Sequence, residues 1–215
     1  MLEAVVQGHT LQMWPQRGVY WPAQQVLLLA DVHLGKADTL RHFGVGVPQS
    51  VQHEDLARLD QLLHQTQPQR CLILGDLVHG RILGADTLQR WQALMHAHAG
   101  VQFELIAGNH DRGLQAHVLQ LHAIHQVLEL AGVWLSHEPM APAALKQPAA
   151  LNMHGHVHAA VRLQGSQSKL PALIYQPPYL RMPAFSAFTA GVPPSGVHQA
   201  VWVFAPDGSE VLRLK

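Results

Sequence analysis

The chain has 215 residues, of which 48% are hydrophobic, so it is long enough to form one larger domain over residues 1–215. Charged residues make up 13%, and 14 Lys and Arg balance 14 Asp and Glu. This balance excludes a protein that attracts nucleic acid by bulk positive charge, so an anionic substrate must be attracted locally.

The N-terminus lacks the basic and then apolar pattern of a signal peptide. The apolar run at residues 26–30 is too short to span a bilayer. The single cysteine, Cys71, lies in an apolar run and is predicted to be a small buried hydrophobe, as suits a reducing cytosol. We therefore expect a cytoplasmic protein without membrane contact. The sequence leaves its oligomeric state open.

Short apolar runs alternate with amphipathic stretches, which favours an α/β architecture. Residues 3–30 are predicted as β structure ending in a buried strand, followed by a loop rich in Gly and Pro. Helices are expected at 51–65 and 85–98. Strands are expected at 72–74, 103–106, 127–130, 133–136, 150–153, 157–163 and 201–204. The proline-rich stretch after residue 170 is expected to be irregular or edge-like.

Polar residues follow the predicted strands at the points where they end. Asp31, Asp76 and Asn109 each come after an apolar run, and His137 does so one residue later. Ligands bind beyond the carboxyl ends of strands in open α/β sheets, so these side chains are expected at one rim.

Two of these positions carry carboxylates. In Asp31-Val32-His33, residues two apart on an extended chain would point to the same side and could hold one metal ion. In Gly75-Asp76, the glycine allows a sharp turn, and the carboxylate has two oxygens that could bridge two metals. Taken singly, each motif is also explained by an ordinary capping Asp.

The remaining motifs supply an amide and imidazoles. Gly108-Asn109-His110-Asp111 offers a neutral oxygen ligand and an imidazole beside a carboxylate, as a general acid needs. His137 and the pair His156 and His158 add further nitrogens, whereas His154 is read as structural. The chain has 17 histidines, and a further group is attributed to composition: His53, His64, His96, His98, His122 and His125.

Together the motifs provide two carboxylates, one amide and four imidazoles without a thiolate. This donor set favours two divalent transition-metal ions, with Mn²⁺ expected first and Fe, Zn or Co as alternatives. Two such ions form a clamp for displacement at phosphorus.

The ordered set D-x-H, G-D, G-N-H-D, H and G-H-x-H resembles the calcineurin-like metallophosphoesterase superfamily. The resemblance implies a four-layer αββα sandwich with two central mixed sheets. It further implies that one metal is held by Asp31, His33 and His158, and the other by Asn109, His137 and His156, with Asp76 bridging. His110 would protonate the leaving group, steered by Asp111, after attack by a hydroxide held between the metals.

The flanking sequences, including 31–36, 43–48 and 181–191, resemble the PdeM group of bacterial ligase-associated DNA damage response endonucleases. This implies a phosphodiesterase, a nuclease acting in DNA repair, with a DNA ligase and a helicase as functional partners. Val78 and Ala190 depart from the group's usual residues. Candidate contacts to a nucleic acid or other phosphodiester are Lys36, Arg41, His79, Arg81 and Arg112, although each loop cation could equally be a solvated surface charge.

Three alternatives stay open. The chain could be a phosphomonoesterase or a nucleotide pyrophosphatase of the same fold. It could be a non-catalytic scaffold, although the His110-Asp111 pair argues against that. A structural zinc module is disfavoured because cysteine ligands are missing.

Overall fold

The computed structural model describes residues 1–112, 114, 116–145, 150–163, 165, 167–189, 191–193 and 195–214. Ala190, one of the two departures from the endonuclease group, lies outside the described residues. Within them the chain forms two β-sheets and three α-helices. None of the described helices is long and apolar enough to cross a membrane.

The first sheet contains seven strands, which lie in the sheet in the order of the sequence. They are β1 (Leu2–Val6), β2 (His9–Trp14), β3 (Gly18–Trp21), β4 (Val26–Leu29), β5 (Arg70–Leu74), β6 (Gln102–Ile106) and β7 (Ala123–His125). Strands β1 to β4 are antiparallel, and β4 to β7 are parallel. All four residues of β4 are buried, as expected for a parallel strand covered on both faces.

The second sheet is also mixed and has the order β15-β14-β12-β13-β10-β9-β8, with β11 paired to β12. Its strands are β8 (Leu128–Leu130), β9 (Val133–Ser136), β10 (Leu151–His154), β11 (Ala160–Arg162), β12 (Lys169–Gln176), β13 (Tyr179–Arg181), β14 (Ala200–Phe204) and β15 (Val211–Leu214). Strands β9 and β10 are parallel, so their carboxyl ends lie at the same edge.

The helices are α1 (Lys36–His42), α2 (Ser50–Thr66) and α3 (Ala85–Ala97), with short 3-10 turns at Pro22–Gln24 and Pro142–Ala144. Apolar residues on one face of α2 and α3 pack against one face of the first sheet, where Leu59 and Trp91 are fully buried. Cys71 lies in the same layer and is fully buried, as predicted.

The inner faces of the two sheets share one core. Leu28 and Leu72 of the first sheet cluster with Leu135, Met153 and Leu173 of the second. Aligned sheets that interdigitate in this way bury apolar side chains on both inner faces. The outer face of the second sheet carries a smaller cluster that includes Ala172 and Ile174. The predicted α/β sandwich with two central mixed sheets is therefore confirmed.

Two local predictions were wrong. The Gly- and Pro-rich loop after Asp31 contains helix α1. The stretch after residue 170 was expected to be irregular or edge-like, but β12 is regular and lies between β13 and β14. Pro171, near the start of β12, has no backbone N–H to donate. The N–H of the next residue, Ala172, donates to the Ala159 carbonyl, so the nitrogen of Pro171 faces away from β11 and no hydrogen bond to that strand is lost.

Candidate metal centre

Five strand ends converge on one side of the sandwich. Asp31 follows β4, Asp76 follows β5, Asn109 follows β6, His137 follows β9, and His156 follows β10. Backbone hydrogen bonds join the first two loops, from Asp31 N–H to the Gly75 carbonyl (3.1 Å) and from His33 N–H to the Asp76 carbonyl (2.9 Å). The predicted rim is thus one connected structure.

Left-handed backbone is concentrated among the predicted ligands. Positive φ occurs at Asp31 (55°), His33 (53°), Asp76 (49°), His156 (66°) and His158 (47°). Such conformations cost free energy in residues other than glycine and persist where the surrounding structure fixes them. The expectation that D-x-H and H-x-H are extended was therefore wrong. Both motifs aim their paired side chains through alternating left-handed turns.

Asp31, His33 and His158 form one cluster of donor atoms within 4.8 Å of one another. The His33 Nε2 lies 3.3 Å from the His158 Nε2, and the His158 Nε2 lies 3.5 Å from the Asp31 Oδ1. The Asp31 carboxylate is fully buried and also accepts a hydrogen bond from the His156 N–H. Three residues from two distant loops therefore present lone pairs to one point.

A second cluster surrounds the Nε2 atom of His137. It lies 3.0 Å from the Asn109 Oδ1, 3.1 Å from the His156 Nδ1 and 3.5 Å from the Asp76 Oδ2. The Nδ1 of His137 lies 3.1 Å from the Leu74 carbonyl. A hydrogen bond there fixes the tautomer and leaves Nε2 free as a ligand, as is usual for metal-binding histidines.

The two clusters are adjacent. Asp31, Asp76 and His137 also form a group of donor atoms within 4.8 Å of one another. Burial is the main cause that raises the pKa of the Asp31 carboxyl, because a buried carboxylate lacks solvation. Burial, with Lys36 and neighbouring histidines, lowers the pKa of His33 to about 2, so this imidazole is neutral, the state that binds metal.

The donor set fits divalent cations. It combines the buried carboxylates of Asp31 and Asp76 with imidazole nitrogens and an amide oxygen, and the donor atoms converge within short distances of one another. A cation would relieve the desolvation of the carboxylates and use the converging lone pairs.

Two glycines make this convergence possible. A Cβ atom at Gly75 would overlap the ring of His137, and Gly75 also has φ +80°. A Cβ atom at Gly108 would overlap the Asp76 carboxylate. The glycine in each motif therefore leaves room for a ligand from another motif, a reason that the sequence alone does not reveal.

His110 stands beside the clusters. Its backbone N–H donates to the Asp76 Oδ1 at 3.0 Å, and its Nε2 lies 4.0 Å from the Asp76 Oδ2. The ring stacks on His79 with centroids 4.9 Å apart, and its side chain is 39% exposed, so it can reach a bound substrate. Burial, with Lys36 and His110, lowers the pKa of His79 to about 4.

Asp111 has a different contact from the one expected. Its two carboxylate oxygens accept hydrogen bonds from the backbone N–H groups of Val78 (3.1 Å) and Gly108 (2.8 Å), not from the His110 ring. It therefore joins the loops after β5 and β6 and acts on His110 through the backbone.

The predicted substrate contacts are distributed unevenly. Lys36 is half-buried beside His33 and His79 and adds positive charge there. Arg41 instead pairs with Asp38 at 2.6 Å, and Asp38 also accepts the Gly84 N–H. Arg81 is exposed in the loop between β5 and α3.

Arg112 lies at the edge of a groove next to the second cluster. The groove has a volume of about 520 Å³ and is lined by residues that include Asn109, Arg112, Ile124, Val127, His137 and Met140. Its place beside Asn109 and His137 makes it a route for a substrate that extends from the metal centre.

The segment at 185–187 makes contacts with the metal centre that its sequence does not predict. The Phe185 N–H donates to the Ala30 carbonyl (2.7 Å), and the Ser186 N–H donates to the Asp31 carbonyl (3.2 Å). Arg17 also donates to the Ser186 carbonyl at 3.2 Å. This tail segment therefore holds the backbone of a predicted ligand.

Comparisons with known proteins give one family match and several similar structures. Residues 25–178 match the calcineurin-like phosphoesterase family. The fold is similar to that of the Pseudomonas putida nuclease MPE, with 28% identity, a TM-score of 0.83 and 99% of each chain covered. The Escherichia coli phosphoesterase YfcE is 17% identical with a TM-score of 0.46, covering 85% of this chain and 88% of its own. No match was found among proteins with curated descriptions.

Proposed function

Because the chain belongs to the calcineurin-like phosphoesterase family, and is thus a metal-dependent phosphoesterase, we propose that it is a two-metal phosphodiesterase that cleaves nucleic acid. The similarity to the Pseudomonas putida nuclease over 99% of both chains carries the proposal. We further propose that residues 1–215 act as one domain and work in the cytoplasm.

The ligand roles follow the two clusters. Asp31, His33 and His158 would hold one ion. Asn109, His137 and His156 would hold the other, with Asp76 serving both, and the short separations around His137 Nε2 support this assignment. When bound, the two ions supply Lewis-acid activation of water and neutralise charge on the phosphoryl oxygens. Nitrogen and oxygen donors without thiolate support Mn²⁺ as the ion used.

His110 is proposed as the general acid that protonates the leaving oxygen. Its backbone is fixed by Asp76, its loop is fixed by Asp111, and its ring is exposed beside the metal centre. A positioned imidazole of this kind contributes through proton transfer in the transition state.

Charge supports an anionic substrate. Two divalent ions against the carboxylates of Asp31 and Asp76 leave the centre positive, and Lys36 adds to this locally. Arg112 is exposed at the groove, where it could contact a neighbouring phosphate. A role in DNA repair with a ligase and a helicase rests on the flanking motifs, and the neighbouring genes would test it.

The proposal is tested with purified protein and Mn²⁺ on labelled single- and double-stranded DNA, RNA, an aryl phosphodiester, an aryl phosphomonoester and a nucleotide pyrophosphate. We expect cleavage of an oligonucleotide and of the diester in preference to the monoester, and loss of both activities in Asp76→Asn. Preference for the monoester or for a nucleotide pyrophosphate would instead assign one of the alternative activities. A metal-loaded protein that is inactive on every ester would indicate a scaffold.

A further inference from the structure

A second group of metal-ligating side chains lies away from the phosphoesterase centre. Asp60, His64 and His98 bring one donor atom each within 4.8 Å of one another. From the sequence both histidines were attributed to composition, because neither lies beside a partner motif. The fold brings them together by packing α2 beside α3.

The geometry of this group is close to that of a tetrahedral ion site. Asp60 and His64 are one helical turn apart on α2 and therefore share a face. The Asp60 Oδ1 lies 2.8 Å from the His98 Nε2 and 3.5 Å from the His64 Nδ1. Zinc bonds of 2.0–2.1 Å in a tetrahedron place neighbouring donor atoms about 3.3 Å apart. The observed separations lie on either side of that value.

The surroundings favour a cation. His64 lies in the last turn of α2, and His98 is the residue that caps the C-terminus of α3. The carboxyl ends of two helices carry partial negative charge, so both helix dipoles attract a positive ion to this point. The His98 side chain is only 9% exposed, whereas Asp60 and His64 are 46% and 66% exposed. One side of the group is thus anchored and the other is open to a water ligand.

We propose that Asp60, His64 and His98 form a binding site for a divalent transition-metal ion, Zn²⁺ above all, which cross-links α2 and α3. Two imidazoles and one carboxylate are a known set of three protein ligands for zinc, in which water takes the fourth coordination position. Binding replaces the contact of the His64 Nδ1 with the Asp60 carbonyl, now 2.9 Å, and the contact of His98 with Asp60. The ion would also bind independently of the phosphoesterase centre.

The test is equilibrium dialysis of the full chain against Zn²⁺, comparing wild type with His64→Gln and Asp60→Asn. Each variant should bind one equivalent fewer than wild type, and Zn²⁺ should raise its Tm less, while phosphodiesterase activity with Mn²⁺ stays unchanged. The control is His96→Gln, because His96 is exposed in the last turn of α3 and lies outside the group. It should match wild type in both readouts.

Equal zinc stoichiometry in wild type and His64→Gln would overturn the proposal. So would a third equivalent that binds only as the chain dimerises, measured by light scattering across a zinc titration, because the three donors belong to one chain. Retained activity in the variants shows that they are folded.

Discussion

The Asp55 carboxylate accepts a hydrogen bond from the backbone N–H of Ala187, 3.1 Å away and 132 residues later in the chain. Asp55 is 4% exposed and pairs with Arg58 at 2.8 Å. Arg58 in turn donates to the Phe185 carbonyl and lies over the Phe185 ring. Helix α2 therefore holds the tail segment whose next contact is the backbone of Asp31.

We expect Asp55→Asn to lower the free energy of unfolding by roughly 2–3 kcal/mol, because it leaves the half-buried Arg58 guanidinium without the carboxylate that lies 2.8 Å away. Chemical denaturation measures this loss. Mn²⁺ affinity should fall as well, since the tail holds the Asp31 carbonyl. The control is Glu129→Gln, which removes an exposed carboxylate on β8 and should stay close to wild type. Equal stability of the two variants would contradict the structural role of Asp55.

We expect His110→Ala to reduce kcat on DNA by roughly 10²–10⁴-fold, the usual contribution of a positioned general acid. The reduction should be much smaller on a p-nitrophenyl diester, whose leaving group needs little protonation. Metal content, measured by atomic emission, should be unchanged, because the imidazole of His110 is not among the proposed ligands. His117→Ala, which removes an exposed histidine, provides the control. A uniform loss on both substrates would exclude the acid role.

Gly75→Ala should disable the second metal cluster. The added methyl group overlaps the His137 ring, so this imidazole must leave its place beside Asn109 and His156. We expect about one metal equivalent fewer per chain and loss of activity. Gly132→Ala is a close control, because Gly132 has the same φ of +80°, but a methyl group added there would meet no atom of the described residues within 4 Å.

That control separates two effects. Gly132→Ala should cost only the strain of a left-handed alanine, roughly 1 kcal/mol, and should keep full metal content and activity. If Gly75→Ala also bound two ions, the close approach of His137 would not be what requires glycine there.

The order of polar residues at strand ends was readable from the sequence, because burial makes each strand an apolar run and the next residue stands out. The bounds of the helices at Ser50–Thr66 and Ala85–Ala97 were also predicted to within one residue. Their periodic apolar faces are local signals that need no knowledge of the rest of the fold.

Contacts between distant segments were not readable. The left-handed turns at Asp31 and His33 depend on hydrogen bonds to the loop after β5, which only the folded sheet supplies. The true partners of Asp111 are backbone groups, and backbone groups leave no trace in residue type. The pair of Asp55 and Arg58 is an ordinary i, i+3 pair in the sequence, and only its contacts with the tail segment give it a role.

Glu104 lies on β6, and Arg70 and His125 are each 2.7 Å from its carboxylate, so this group makes stability depend on pH. Burial acts to raise the pKa of the Glu104 carboxyl, and the hydrogen bonds from Arg70 and His125 outweigh burial, so the pKa lies below its ordinary value of 4.5. A carboxyl whose pKa is lowered in the folded state stabilises that state at pH values above the ordinary pKa of the group. This stability is lost as pH falls through the folded-state pKa.

Glu104→Gln should therefore lower the free energy of unfolding by about 1 kcal/mol at pH 7, a modest figure because solvent screens the outer part of the pair. The difference from wild type should shrink as pH falls below 4.5. Urea denaturation at a series of pH values from neutral down to about 3.5 measures this difference in the free energy of unfolding. Glu129→Gln, at an exposed position on β8, is the control. A difference that stayed constant over this range would show that the Glu104 side chain contributes through packing instead of through its charge.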